Sequence, residues 1–143
     1  MENIREIEEN DFEKGYMNLI NYFTRYPEPI PFNIFKETLI KIQQSRSKIF
    51  VIEENGRIVA TLTCMIEQKL HNNCKRVGHI EDLVVEEQSR KKGYASILLQ
   101  KAIDYGKDEN CYKIVLQTNQ PNIGFYEKNG FNQKGIEMTK YLL

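Results

Sequence analysis

The stretch Arg90-Lys91-Lys92-Gly93-Tyr94-Ala95 decides how this chain is read. It has the form Arg-x-x-Gly-x-Ala, and it lies between an apolar strand-like run, Ile80 to Val85, and a helix-like run, Ala95 to Tyr105. A glycine turn with basic residues at a helix start can hold a pyrophosphate, because backbone N–H groups there are unpaired and the helix dipole favours negative charge. The alternative is a solvated basic turn. The strand–turn–helix setting favours the phosphate role.

Outward from that turn the pattern is a mixed α+β layer structure. Upstream, Asn3 to Ile7 is predicted as a strand. Asn10 or Asp11, answered by Glu13, is predicted to cap one helix with an apolar face of Phe12, Met17, Leu19, Ile20 and Phe23. The prolines from Pro27 to Pro31 stop it. Phe35, Leu39 and Ile42 mark a second helix. Lys48 to Glu53 and Ile58 to Ile66 read as strands joined by an Asn55-Gly56 hairpin turn. A polar loop, His71 to Lys75, leads to the strand Arg76 to Val85. After the glycine turn come a helix ending near Gly106, a strand Tyr112 to Thr118, and a short helix Pro121 to Lys128 capped by Asn129-Gly130. Phe131 to Leu143 is predicted as a last strand. The order is βααβββαβαβ, a mixed sheet with helices on both faces, and residues 1–143 read as a single domain.

Bulk properties narrow the chemistry. The 143 residues suit one domain, and 41% hydrophobic residues support a packed core. Twenty basic and twenty acidic residues leave no surplus for nucleic-acid binding. No apolar run nears the roughly 20 residues that span a bilayer, and the acidic N-terminus lacks a signal core. Cys64, Cys74 and Cys111 are odd in number and unpaired in spacing, which reads as reduced thiols in the cytoplasm. His71 and His79 are too isolated for a metal site.

Four ordered blocks carry a resemblance. They are Gly78-His79-Ile80-Glu81-Asp82-Leu83-Val84-Val85, the Arg90-x-x-Gly-x-Ala turn, Cys111-Tyr112-Lys113-Ile114-Val115-Leu116, and Asn122 to Phe131 with its Phe125-Tyr126-Glu127-Lys128-Asn129-Gly130-Phe131 core. Together they resemble the GNAT acetyltransferase superfamily and, within it, the glucosamine-6-phosphate N-acetyltransferases. The likeness covers nearly the whole chain.

The resemblance implies transfer of acetyl from acetyl-CoA to the amine of D-glucosamine 6-phosphate, within a ternary complex, serving UDP-N-acetylglucosamine synthesis. It implies that acetyl-CoA enters a gap between the strands Arg76 to Val85 and Tyr112 to Thr118. Main-chain groups of Leu83, Val84 and Val85 then hold the pantetheine arm and polarise the thioester. Arg90, Lys91, Lys92, Gly93, Tyr94 and Ala95 hold the pyrophosphate, and Asn119, Asn122 and Phe125 seat CoA. Tyr126 is implied as proton donor to the departing thiolate, since a phenol of pKa about 10 stays protonated at neutral pH.

The acceptor is implied to touch Thr24, Lys69, Leu70, His71, Asn72, Glu81, Asp82, Leu83, Lys113 and Ile114. Neighbouring side chains of a regular strand point to opposite faces, so Glu81 and Asp82 are expected not to act as a coupled pair unless a bulge re-aims one. A main-chain carbonyl near Gln117, with water, is the expected proton acceptor. Relatives carry an acidic residue where Gln117 stands, and an arginine in the region of Lys140 or Tyr141. A homodimer exchanging C-terminal strands is also implied. Two alternatives remain: acetylation of another amine (peptide N-terminus, lysine or polyamine), or a non-catalytic acyl-CoA sensor.

Overall fold

The structure is a computed structural model that describes residues 3–24 and 28–143. Pro27, expected to help stop the first helix, and the side chain of Phe23 lie outside that description. The chain begins with β1 (Asn3–Glu6), a 3-10 turn (Glu9–Lys14), α1 (Tyr16–Ile20) and α2 (Phe32–Gln43). Then follow β2 (Lys48–Glu54), β3 (Arg57–Gln68), the single turn α3 (His71–Cys74) and β4 (Arg76–Val85). The remainder is α4 (Tyr94–Asp108), β5 (Cys111–Leu116) and α5 (Ile123–Lys128).

The strands form one five-stranded sheet in the order β1-β2-β3-β4-β5. β1 to β4 pair antiparallel, and β4 pairs with β5 in parallel. Successive residues of β2 separate the two faces, as the period of 2 requires. Phe50 and Ile52 join Leu62, Ile80, Leu98, Leu99 and Ala102 under α4. Ile49 and Val51 join Tyr16, Leu19, Phe35 and Leu39 under α1 and α2. The mixed sheet with helices on both faces is therefore present. The hairpin turn also holds: Asn55 and Gly56 both have positive φ, 52° and 77°, as a type I′ turn demands.

Several expectations are corrected. The first helix is not continuous, because Gly15 adopts φ 85° between the 3-10 turn and α1. Asp11 is no exposed cap but fully buried. Its carboxylate accepts from both terminal nitrogens of Arg5 at 2.8 Å and from the Glu8 N–H at 2.8 Å. That ties β1 to the turn and moves the capping pair to Glu8 and Asp11. The loop after β3 coils left-handed, with Asn72, Asn73 and Cys74 at φ 54°, 59° and 59°. α4 continues through Gly106 to Asp108.

The last expected strand is absent from the fold. Phe131 packs on the core beneath α4, but residues 132–143 form no strand. α5 ends without a hairpin that would fold the tail back, and Ile136, Met138 and Leu142 stand 93%, 93% and 86% exposed.

Candidate active site

β4 and β5 pair only from Arg76 with Cys111 to Ile80 with Leu116. β5 ends there, two residues short of the expected Thr118, while β4 runs on to Val85. From Glu81 onward the β5-facing edge of β4 has no strand neighbour. A cleft of about 310 Å³ fills the gap. β4 contributes Glu81, Asp82 and Leu83 to its walls, and the chain after β5 contributes Gln117, Asn119 and Asn122. Tyr126 closes it from α5.

β4 carries one irregularity that sequence periodicity could not reveal. Thr61 pairs with Val84 and Thr63 with Glu81, so the single residue Leu62 faces two, Asp82 and Leu83. This is a β-bulge, and Asp82 takes φ 51°. It cancels the alternation that was expected to separate the two carboxylates. Both Glu81 and Asp82 line the cleft, and both also line a second cavity of about 570 Å³ on the α1–α2 side of the sheet. Surrounding protein raises the Glu81 pKa, and the Asp82 charge raises it further. Surrounding protein also raises that of Asp82. The bulge is the exception under which the two carboxylates were expected to come together. Each is open to solvent at the cavity mouth, which moderates the effect.

Tyr126 is half-buried, edge-on to Phe125 at 5.1 Å and to Phe131 at 6.0 Å. Burial pushes its phenol pKa up, so the O–H keeps its proton at neutral pH. Its hydroxyl has no hydrogen-bond partner among the described residues. Phe125 itself turns to the core rather than to the cleft.

The glycine turn behaves as a main-chain device. Gly93 sits at φ 81° ahead of α4, a conformation glycine adopts without steric cost. The first bond of α4 shown there runs from the Ile97 N–H to the Gly93 carbonyl, so the amides of Ala95 and Ser96 have no acceptor within the helix. The basic side chains are largely spent elsewhere. Lys92 pairs with Glu54 at 3.1 Å, and Arg90 donates to the Val85 carbonyl at 3.1 Å. Tyr94 is buried, and its hydroxyl donates to Glu54. Glu54 also accepts from Ser89 at 3.0 Å. Sequence reading missed Glu54, whose hairpin position gave no sign that it anchors this turn. These bonds, Tyr94 foremost, hold its carboxyl below the usual range.

Other expected acceptor contacts gather elsewhere. Lys69 pairs with Glu67 at 2.8 Å, and His79 Nε2 lies 2.9 Å from the same carboxylate. His71 meets Tyr112 edge-on at 6.2 Å and bonds Asn72 at 2.9 Å. Lys113 lies over the Tyr112 ring at 5.6 Å, and Leu70 is fully in solvent. His71 and Lys113 gather at Tyr112 near the start of β5, whereas the cleft opens at its end, roughly 13 Å from Tyr112 at about 3.3 Å per residue; His79, paired with Val115, lies nearer that end. Thr24 follows the turn after α1, lines neither cavity, and bonds weakly to Asn21 at 3.5 Å. Ile114 is not a cleft residue. Its Cδ1 occupies the notch between Gly78 and Gly106, where an added Cβ at either glycine would lie 2.5 Å from it.

A strand pair that parts at its carboxyl end, beside a helix start with unused amides, leaves main-chain groups free for an extended anionic ligand. A profile of the acetyltransferase (GNAT) family matches residues 1–131. The chain belongs to that family. It is 36% identical to the glucosamine 6-phosphate N-acetyltransferase of Arabidopsis thaliana, over 96% of this chain and 95% of the relative. It is 31% identical to glucosamine 6-phosphate N-acetyltransferase 1 of Dictyostelium discoideum, over 96% and 89%. The crystal structure of the Arabidopsis enzyme superposes with TM-score 0.94 at 35% identity, covering 99% of both chains. The bulge, the cleft and Tyr126 thus belong to a GNAT acetyltransferase. No helix among the described residues is long and apolar enough to cross a membrane.

Proposed function

We propose that this GNAT acetyltransferase moves an acetyl group from acetyl-CoA to the amino group of D-glucosamine 6-phosphate, giving CoA and N-acetyl-D-glucosamine 6-phosphate. The observation that carries the reading is the pair Glu81 and Asp82, shared by a thioester cleft and an acceptor cavity. Two carboxylates at the point where the cavities meet suit a cationic amine. The named relatives supply the sugar phosphate.

In this reading the α4 start, with Gly93 and the amides of Ala95 and Ser96, binds the pyrophosphate. Main-chain N–H groups on the unpaired edge of Leu83 to Val85 align the thioester carbonyl and stabilise the charge developing on its oxygen, while the Val85 carbonyl stays with Arg90. Glu81 and Asp82 hold the acceptor. The amine gives a proton to water held at the Gln117 carbonyl; the Gln117 amide is no base. The nitrogen attacks the carbonyl carbon, the C–S bond breaks, and Tyr126 gives its proton to the departing sulfur.

The tail supports a homodimer. β5 has an open outer edge within the chain, and an exposed apolar segment is a candidate to cover such an edge in a second copy. The Lys69, His71, Asn72 and Lys113 group then serves the acceptor phosphate across the interface. Use of the product for UDP-N-acetylglucosamine, and a cytoplasmic setting for three free thiols, belong to the same proposal.

The test is thiol release from acetyl-CoA with glucosamine 6-phosphate, run beside glucosamine, an N-terminal peptide, lysine and a polyamine. Efficient turnover is expected only with the sugar phosphate. A flat trace with it, while acetyl-CoA binds, removes this acceptor. Turnover of a peptide or polyamine installs the other reading.

A further inference from the structure

Tyr16 opens α1 directly after Gly15. Its ring packs edge-on to Phe35 at 6.1 Å, and the residue is 3% exposed. Its hydroxyl is buried and has no hydrogen-bond partner among the described residues. An unmade hydrogen bond in the interior is costly, and phenylalanine would fill this apolar site without that cost. Packing therefore does not account for the oxygen.

The groups around it narrow the use. Thr61 on β3 spends its own proton on the Phe50 carbonyl at 2.9 Å. Asp11 is occupied by Arg5 and the Glu8 N–H. Asp82, on the bulge, has no hydrogen bond or ion pair among the described residues. Burial raises the Tyr16 phenol pKa, the nearby Thr61 hydroxyl opposes this, and the Asp82 charge adds to the rise. Tyr16 and Asp82 line the same cavity. A donor and an acceptor, each without a hydrogen bond among the described residues, thus line one cavity. The other titratable groups on this cavity are Glu81 and Lys41. His79 and Glu137 act on Glu81, and Tyr126 faces the two carboxylates from the cleft.

We propose that Tyr16 is a positioning residue for the acceptor: as the amine substrate fills the larger cavity, the Asp82 carboxylate turns onto the Tyr16 hydroxyl, which fixes one oxygen and leaves the other for the substrate. This rests on reading Glu81 and Asp82 as the acceptor-holding pair. It adds a residue that touches neither cofactor nor reacting atoms. It also gives the bulge a function, since a regular strand at residue 82 would carry the carboxylate to the other face.

The test is steady-state kinetics of Tyr16→Phe on the full chain, with acetyl-CoA and glucosamine 6-phosphate or whichever amine the wild type turns over best. The acceptor KM should rise about tenfold, the size of one hydrogen bond to a charged group. The acetyl-CoA KM and kcat should stay within about twofold of wild type. The acidic limb of kcat/KM should move to higher pH, because Asp82 loses a donor that favours its charged form. The thermal midpoint should not fall. In an Asp82→Asn background the same substitution should leave the acceptor KM unchanged. A lower midpoint with wild-type KM and pH profile would assign the hydroxyl to a structural bond with Thr61 and overturn the proposal. An equal KM effect with and without Asp82 overturns it too. If the wild type acetylates no amine, the acceptor reading and this inference fall together; if it does and the Tyr16 pattern is missing, only this inference falls.

Discussion

Gly106→Ala tests the packing that holds β4 and β5 together below the cleft. On helix propensity alone the change gains about 1 kcal/mol, because glycine is a poor interior helix residue. At this position, however, the new Cβ would stand 2.5 Å from Cδ1 of Ile114. Gly78, on β4, meets the same methyl at the same distance, so a rotation of χ2 that clears one glycine need not clear the other. Overpacking of this kind costs about 1–3 kcal/mol. The balance is a net loss of roughly 1 kcal/mol. Ile114→Val removes the offending methyl at about 0.5–1.5 kcal/mol by itself. In that background Gly106→Ala has room, regains its propensity and fills the vacated space. The same substitution should therefore destabilise the wild type and stabilise the valine variant. Urea unfolding followed by circular dichroism, with unchanged m-values, measures all four proteins. If Gly106→Ala raises the stability of the wild type by about 1 kcal/mol, the notch is not filled as described. Ile114 is then free to be the acceptor contact that the sequence suggested.

Tyr126→Phe should lower kcat by about a hundredfold or more, with acetyl-CoA affinity little changed; isothermal titration and turnover on the same sample decide it, and unchanged turnover removes the proton-donor role. Asp11→Asn should cost roughly 2 kcal/mol, because it weakens two charged hydrogen bonds at a buried carboxylate while Arg5 keeps Glu53. Burial opposes ionisation of Asp11, but the Arg5 and Glu8 bonds win and hold its carboxyl below the ordinary carboxylate range. Its stabilisation is therefore complete above the unfolded carboxyl pKa of about 3.9 and is lost as pH falls through the folded value. Chemical unfolding of Asp11→Asn should show a shallower loss of stability below pH 4 than wild type; equal slopes contradict the assignment. Deleting residues 132–143 should convert a dimer to a monomer in light scattering and lower turnover, whereas a full-length chain that runs as a monomer at micromolar concentration removes the exchanged-tail proposal.

What the sequence made legible is what short-range chemistry dictates. Asn55-Gly56 could form only a narrow family of turns, and the structure has positive φ at both. Arg90 to Ala95 announced a glycine turn into a helix, and the continuous apolar run Ile49 to Ile52 is what a strand covered on both faces requires. The site was legible where main chain makes it: Leu83, Gln117, Asn119, Asn122 and Tyr126 converge because β5 stops and β4 does not. The remainder depended on tertiary events with no local signature. A bulge needs the pairing of β3 with β4, so Asp82 looked like an ordinary strand residue facing away from Glu81. Gly15 looked tolerable inside a helix until the Arg5–Asp11 pair drew the preceding turn inward. Tyr16 escaped notice because the apolar face was read through Met17 and Leu19. The tail from residue 132 has strand-like composition, but composition does not say which chain supplies its neighbour.

The bulge also shapes how the two ligands come and go. The smaller cavity, proposed for the thioester, lies toward α5, and the larger, proposed for the acceptor, lies under α1 and α2. Glu81 and Asp82 line both. Under the proposed assignment each ligand has its own doorway, on its own side of the sheet. A blocker built for the larger cavity then leaves the smaller one open.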